Sequence, residues 1–239
     1  MKLVFISDLH LSIQTPDKNE VFYSLMNKWQ HELDALYILG DFFDFWCGDD
    51  DDNVFIRKIK TSFRSFTHRA PIYFIRGNHD FGLGRKFAKD TGITIIKDMS
   101  ILKTPKQTIL LSHGDAFCTL DIAYQRLKLI LQNPIVMFIL RQLPLAWRYK
   151  IKDKLEHKSG ITFNAKPQET YHVVNSTIIQ FAKKHGANIV IHGHTHNPGL
   201  YEIKANNCTI SRFEIPDWAD RAPGGYIMLD NEEFTIQLS

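Results

Sequence analysis

Cysteine is scarce in this chain. The three present, Cys47, Cys118 and Cys208, are scattered and odd in number. They exclude a thiolate zinc site of the usual pair spacing and read as small buried hydrophobes in a reducing compartment. Long apolar runs are also missing. A membrane-spanning helix requires roughly 20 apolar residues. The longest uncharged stretch in the most apolar region, Leu129–Leu140, has twelve and contains Pro134. The apolar start Leu3–Ile6 is cut short by Asp8, so no secretory signal is expected. The chain is therefore expected to be cytoplasmic, and soluble or at most attached to a membrane surface. Excess charge is lacking too. Lys and Arg number 29 against 26 Asp and Glu, a net +3 that gives no argument for a nucleic-acid partner. Internal repeats and low-complexity tracts are absent.

What remains is an ordinary globular composition, 44% hydrophobic and 23% charged over 239 residues. It fits one domain, or one domain with a sizeable insertion. The charge is unevenly placed. Between Asp121 and Lys158 there are eight basic and three acidic residues, so that stretch carries +5 and the remainder −2.

The informative pattern is a repetition. Leu3–Ser7, Ala35–Leu39, Ile72–Ile75, Thr108–Leu111 and Asn188–Ile191 read as buried strands. Each runs into a short block of ligand-type residues: Asp8-Leu9-His10, Gly40-Asp41, Gly77-Asn78-His79-Asp80, His113-Gly114-Asp115 and Gly193-His194-Thr195-His196. Helical spacing follows the first strand (Val21 to Leu33) and covers Ile56–Thr67 and Tyr171–Lys184, the last with Gly186 as a stop. From Tyr201 onward, alternation predicts antiparallel strands at Tyr201–Ile203, Thr209–Ile215, Tyr226–Leu229 and Phe234–Leu238. The acidic loop Asp49–Asp52 is either a solvated turn or part of a pocket rim.

Between Phe117 and Lys166 the strands vanish. Thirteen large apolar residues crowd into the 21 positions from Leu127 to Trp147, and Pro134 and Pro144 divide the stretch into about three short helices, the last of them basic. The apolar content exceeds what a small helical insertion must bury, and these helices are expected to cap the strand ends.

Ligands at the carboxyl ends of strands sit where open α/β sheets hold their active sites. Carboxylate, imidazole and amide oxygen suit Mn, Fe, Co or Zn. One carboxylate can bridge two cations, and a pair about 3.5–4 Å apart can hold a hydroxide in line with a phosphate. Each block alone is weak evidence, and His194-Thr195-His196 alone is compatible with a single-metal site. All of them in this order, each after a strand, point to a dinuclear centre.

In this order the blocks resemble the calcineurin-like metallophosphoesterases. The resemblance implies an α/β four-layer sandwich, two mixed sheets flanked by helices, with the helical cap inserted at 117–166 of a single domain over 1–239. It implies one metal on Asp8, His10, Asp41 and His196, and a second on Asp41, Asn78, His113 and His194. Asp41 would be the bridge. His79 would face the reacting phosphate as proton donor or charge stabiliser, oriented by Asp80.

A narrower resemblance rests on Leu36–Phe43, Trp46 with Gly48–Asp51, Tyr73-Phe74-Ile75, Gly77-Asn78, Asp80-Phe81, Asp121 with Tyr124-Gln125, and Asp217-Trp218. These are similar to the UDP-2,3-diacylglucosamine hydrolases of lipid A biosynthesis. That family implies two Mn2+, attack of metal-bound hydroxide on the α-phosphorus, and release of UMP and 2,3-diacylglucosamine 1-phosphate (lipid X). It also implies work at the inner face of the inner membrane on a nucleotide-linked diacyl glycolipid. Asn78, His79, Asp121, Tyr124, Ser159, Asn164, Lys166 and His194 would touch substrate. Two departures stand out. His79 replaces an arginine common in that family, and Thr162-Phe163-Asn164-Ala165-Lys166 replaces an Asn-Ser-Ser-Lys segment.

Three other readings are weighed against this one: a phosphoesterase for another nucleotide diphosphate or phosphodiester, a ligand-poor fold relic serving as a scaffold, and a nucleic-acid phosphodiesterase. None of the seven ligands is missing and the basic residues lie in the apolar segment, which disfavours the last two. A monomer is favoured. His31, His68, His157, His172 and His185 lack ligand context, and His192 is expected to support the centre by hydrogen bonding.

Overall fold

Uninterrupted apolar runs build the first sheet. In a computed structural model, which describes residues 1–154, 172–205, 208–218 and 224–238, Lys2–Ile6 (β1), Ala35–Leu39 (β2), Ile72–Ile75 (β3) and Thr94–Ile95 (β4) run parallel. Tyr226–Asp230 (β10) and Glu233–Gln237 (β11) extend the sheet antiparallel beyond β1, giving the order β11-β10-β1-β2-β3-β4. All five residues of β2 are buried, as a strand covered on both faces requires.

The second sheet has the order β5-β6-β7-β9-β8, from Ser100–Lys103, Thr108–Leu111, Ile189–His192, Cys208–Glu214 and Gly199–Ala205. Strands β6, β7 and β9 are parallel, and β5 and β8 are antiparallel edges. The strands after Tyr201 thus do not form one antiparallel set. The β8–β9 hairpin joins the second sheet and the β10–β11 hairpin the first. Alternation records which face of a strand is buried and not which neighbour it pairs with: Ile227 and Leu229 on β10 point inward.

Four layers result. Val4, Ile6, Leu36, Ile38, Ile72 and Phe74 face helices α1 (Pro16–Trp29), α2 (Val54–Thr67) and α3 (Arg85–Thr91), meeting Phe22, Trp29, Phe63 and Phe87. Full burial of one such ring contributes roughly 1.5–3 kcal/mol. On the other face Leu3, Phe5, Tyr37, Leu39 and Ile75 meet Ile109, Leu111, Ile189, Ile191 and Phe213 of the second sheet. The second sheet's outer face, Leu110 and Val190 among others, packs on Ile178 and Ala182 of a helix over Asn175–His185. That helix begins four residues later than its apolar spacing suggests and stops at left-handed Gly186, φ 64°.

The apolar segment forms α4 (Ile122–Leu131), α5 (Pro134–Gln142) and α6 (residues 145–154), which makes Asn175–His185 α7. Asp121 caps α4 by accepting from the Tyr124 N–H, and Asn133 caps α5 with Pro134 at its first turn. Neither α4 nor α5 has a buried residue. Leu129, Ile135 and Phe138 are 73%, 70% and 65% exposed, so their apolar surface is not used in packing against the sheets.

Candidate metal centre

Parallel strands aim their carboxyl ends one way, and the ligand-type residues lie on the turns that leave them. Those turns are sharp. Asp8, His10, Asp41, His194 and His196 all have positive φ, between 48° and 75°, a left-handed state costing non-glycine residues about 1–2 kcal/mol each. Close packing around the turns leaves no room for a side chain at the glycines. A Cβ on Gly193 would fall 2.1 Å from Asp8 Oδ2, and one on Gly40 2.6 Å from His113 Nδ1.

The turns from both sheets converge. Donor atoms of Asp8, His10 and His196 cluster within 4.8 Å of one another, as do those of Asp41, His113 and His194, and those of His10, Asp41 and His79. Asp41 is common to the last two clusters. Asn78 joins them through Oδ1, 3.0 Å from His113 Nε2. All seven residues expected as metal ligands therefore gather in one place.

Neighbouring groups fix the ligands' orientation. His113 Nδ1 donates to the Leu39 carbonyl at 2.9 Å, which points Nε2 toward Asn78 and Asp41. Asp8 Oδ2 accepts from the His194 N–H at 2.9 Å. Its Oδ1 is buried with no hydrogen-bond partner and has His196 Nε2 at 3.7 Å, an expensive state for a carboxylate oxygen unless a cation or a protonated imidazole neutralises it. Asp217 Oδ2 lies 3.5 Å from His196 Nδ1.

The electrostatics report the same crowding. Burial opposes charge on Asp8 and Asp41, yet the surrounding imidazoles hold both carboxyls below their usual range. Burial also opposes charge on His113, but Asp41, Asp8 and Asp115 outweigh it and lift that imidazole to about 9. His196 rises to about 9 because Asp8, Asp217 and Asp41 likewise outweigh burial. Burial, joined by the charge on His113, pushes His194 down to about 4. Without metal, protons on His113 and His196 balance the carboxylates. Oxygen and imidazole donors with an orphaned carboxylate oxygen fit a divalent transition metal.

His79 and Asp80 differ from expectation. Asp80 does not orient the His79 ring by hydrogen bonding. It is fully buried, and its two oxygens accept from the backbone N–H groups of Gly77 (2.6 Å) and Phe42 (2.8 Å), tying together the turns after β2 and β3. Burial and the charge of Asp41 raise its carboxyl to about 6. The Asp44 carbonyl is what fixes His79, accepting a short hydrogen bond from Nδ1. The His79 N–H donates to Asp41 Oδ1 at 2.8 Å.

The family model described as Calcineurin-like phosphoesterase matches residues 1–198. The chain belongs to the calcineurin-like phosphoesterase family. This phosphoesterase is 36% identical over 235 residues to a UDP-2,3-diacylglucosamine hydrolase of Pseudomonas fluorescens (strain SBW25), covering 98% of this chain and 94% of that one. It is 34% identical over 238 residues to the enzyme of that name from Vibrio atlanticus, covering 99% and 97%. Its fold matches that of Yfce, a phosphoesterase from E. coli, at a TM-score of 0.50 and 20% identity, covering 100% of this chain and 93% of that one.

The phosphoesterase's expected substrate contacts are only partly described. Ser159, Asn164 and Lys166 lie outside the described residues. Tyr124 on α4 stands beside the centre, its ring 6.0 Å from that of His194. Its hydroxyl donates to Asp115, which also pairs with Lys128 at 2.8 Å. Asp121 is buried, with one oxygen capping α4. His192 is buried, donates from Nδ1 to the Gly193 carbonyl and joins none of the donor clusters found among the described residues. Asp44, Asp98 and Asp115 were not singled out as supports. Asp98 accepts from Ser112 Oγ and the His113 N–H. Asp115 had a signal in its His-Gly-Asp block, and the other two had none.

Proposed function

We propose that this hydrolase cleaves the pyrophosphate bond of UDP-2,3-diacylglucosamine by attack of water on the α-phosphorus, giving UMP and 2,3-diacylglucosamine 1-phosphate. One juxtaposition carries the reading: the clustered ligands adjoin, through Tyr124 and His194, a helix whose apolar surface is left exposed. The named relatives match over almost the whole chain, these helices included.

Asp8, His10, Asp41 and His196 would hold one cation, and Asp41, Asn78, His113 and His194 a second, with Mn2+ in both. Bound cations supply charge neutralisation for the phosphate and lower the pKa of water. The remaining work belongs to the chain. His79, with Nδ1 committed to Asp44, presents its other nitrogen to the reacting phosphate. Burial disfavours charge there, but Asp41 and the Asp44 carbonyl outweigh it and raise the imidazole above its ordinary value, which suits a proton donor to the leaving group. Asp80 keeps the Asp41 and Asn78 turns in register. Asn78, His194, Asp121, Tyr124, Ser159, Asn164 and Lys166 contact the substrate's phosphates and sugar.

The segment 117–166 serves as a cap for the acyl chains. Its exposed Leu129, Ile135, Phe138 and Trp147, together with the +5 charge of 121–158, suit an anionic membrane surface. No helix among the described residues is long and apolar enough to cross a membrane. The protein would work as a monomer on the cytoplasmic face of the inner membrane, without nucleic acid.

Hydrolysis in 18O-labelled water tests the chemistry. Label is expected in UMP, and label in the lipid phosphate overturns attack at the α-phosphorus. Turnover of short soluble phosphodiesters equal to that of the lipid substrate would favour the broader reading, a phosphoesterase for another nucleotide diphosphate or diester.

A further inference from the structure

The residues expected to ligate metal from the second sheet's β7 end lie on a turn that backbone bonds hold only at its start, from the Gly193 N–H to the His113 carbonyl at 2.8 Å and from the Thr195 N–H to the Gly193 carbonyl at 3.0 Å. His194 and His196 are both left-handed, with φ 75° and 52°, and Gly193, at the start of the turn, is pressed against Asp8 and Ser7. Asp8 restrains one side by accepting from the His194 N–H. On the other side stands a residue no motif contains. Glu214 is the last residue of β9, in register with His192, the last residue of β7. It is fully buried.

We infer that Glu214 is a positioning residue for the metal centre, clamping the His194-Thr195-His196 turn in its ligand-presenting shape. Its Oε1 accepts from the residues on either side of His196, from Thr195 Oγ1 by a short hydrogen bond and from the Asn197 N–H at 2.8 Å. The two donors bracket His196. Oε2 is buried without a hydrogen-bond partner, 3.9 Å from His192 Nε2 and 3.8 Å from Arg212 Nη2. Arg212 lies over the Tyr201 ring, its guanidinium carbon 3.9 Å from the centroid. Oε2 thus lies within ion-pair range of the stacked arginine without a hydrogen bond to it, while Oε1 makes its hydrogen bonds only to the turn. A residue placed merely to pair with Arg212 would not need Oε1 aimed at Thr195 and Asn197. Outer groups that orient ligands typically change metal affinity about 10- to 100-fold when lost.

The inference rests on the metal-centre reading, and one titration separates the two. Metal-stripped full-length protein is titrated with MnCl2 and free Mn2+ is followed by electron paramagnetic resonance, for wild type, Glu214→Gln, Glu214→Val and Thr195→Val. Glutamine keeps an acceptor oxygen and is expected to hold Mn2+ within about threefold of wild type. Glu214→Val is expected to weaken Mn2+ binding about 10- to 100-fold. Thr195→Val removes one arm of the clamp without touching β9, and is expected to weaken binding in the same direction even where Glu214→Val fails to fold. Thermal melts of the metal-free proteins run alongside, since a purely structural role would lower Tm and leave the affinity of the folded protein unchanged. Wild-type affinity in a folded Val variant overturns the inference alone. A wild-type protein that takes up no Mn2+ overturns the metal-centre reading and this inference with it.

Discussion

A Cβ on Gly77 would lie 2.2 Å from Oδ1 of Asp41 and 2.6 Å from its backbone nitrogen. The turn after β3 therefore presses on the carboxylate shared by two donor clusters, and only a bare α-carbon allows it. Gly77→Ala must push Asp41 aside. Such overpacking costs about 1–3 kcal/mol, and here it falls on the residue proposed to bridge two cations. Mn2+ affinity is expected to drop about tenfold or more by isothermal titration, with the folded spectrum retained. Unchanged affinity would mean the two turns separate more easily than their packing implies.

Metal uptake should release protons. His113 and His196 are both lifted to about 9 in the metal-free protein, so at pH 7 each carries a proton that a cation must displace, whereas His194, at about 4, carries none. Cations compete with protons, so affinity rises as pH rises toward about 9 and falls as it drops. Calorimetry in buffers of different ionisation heat should find up to two protons released per chain at pH 7, one from each of these two histidines. Affinity independent of pH across this range would remove both from the ligand set.

His79→Ala is expected to lower kcat about 10²- to 10⁴-fold, the usual contribution of a positioned acid, while Mn2+ content stays at the wild-type level. Because His79 also sits in a cluster with His10 and Asp41, metal analysis of the variant is decisive. A matching loss of metal would make it a ligand.

Phe138→Ser and Ile135→Ser change side chains that are 65% and 70% exposed, so the melting free energy should move by less than about 0.5 kcal/mol. Each fully buried apolar group contributes roughly 1.5–3 kcal/mol to a lipid contact. KM for vesicle-presented substrate should therefore rise about ten- to a hundredfold, with soluble diester hydrolysis unaffected. Equal KM values would place these helices away from the lipid.

Buried parallel strands announce themselves in sequence because both faces must be apolar. Ala35–Leu39, Ile72–Ile75 and Thr108–Leu111 are found at the residues expected, and with them the ligand blocks at their ends. The sheet that each late hairpin joins was not legible, because pairing partners leave no mark on alternation. Nor was the Asp44 carbonyl that fixes His79, since a backbone oxygen has no letter. Glu214 was hidden for a different reason. A glutamate in an alternating strand reads as solvent-facing, as Glu202 on neighbouring β8 is, and only three-dimensional packing shows it enclosed.

The gathered side chains come from opposite halves of the molecule: Asp8, His10, Asp41 and Asn78 follow strands of one sheet, His113, His194 and His196 strands of the other. Polar contacts such as His113 to Leu39 and His194 to Asp8 already stitch this rim. Any ion seated there acts as a rivet between the halves. Chelation should then loosen the seam from this rim first, so amide exchange would quicken at Ile191 and Leu39 before it does at Leu3 or Ile109 on the far edge.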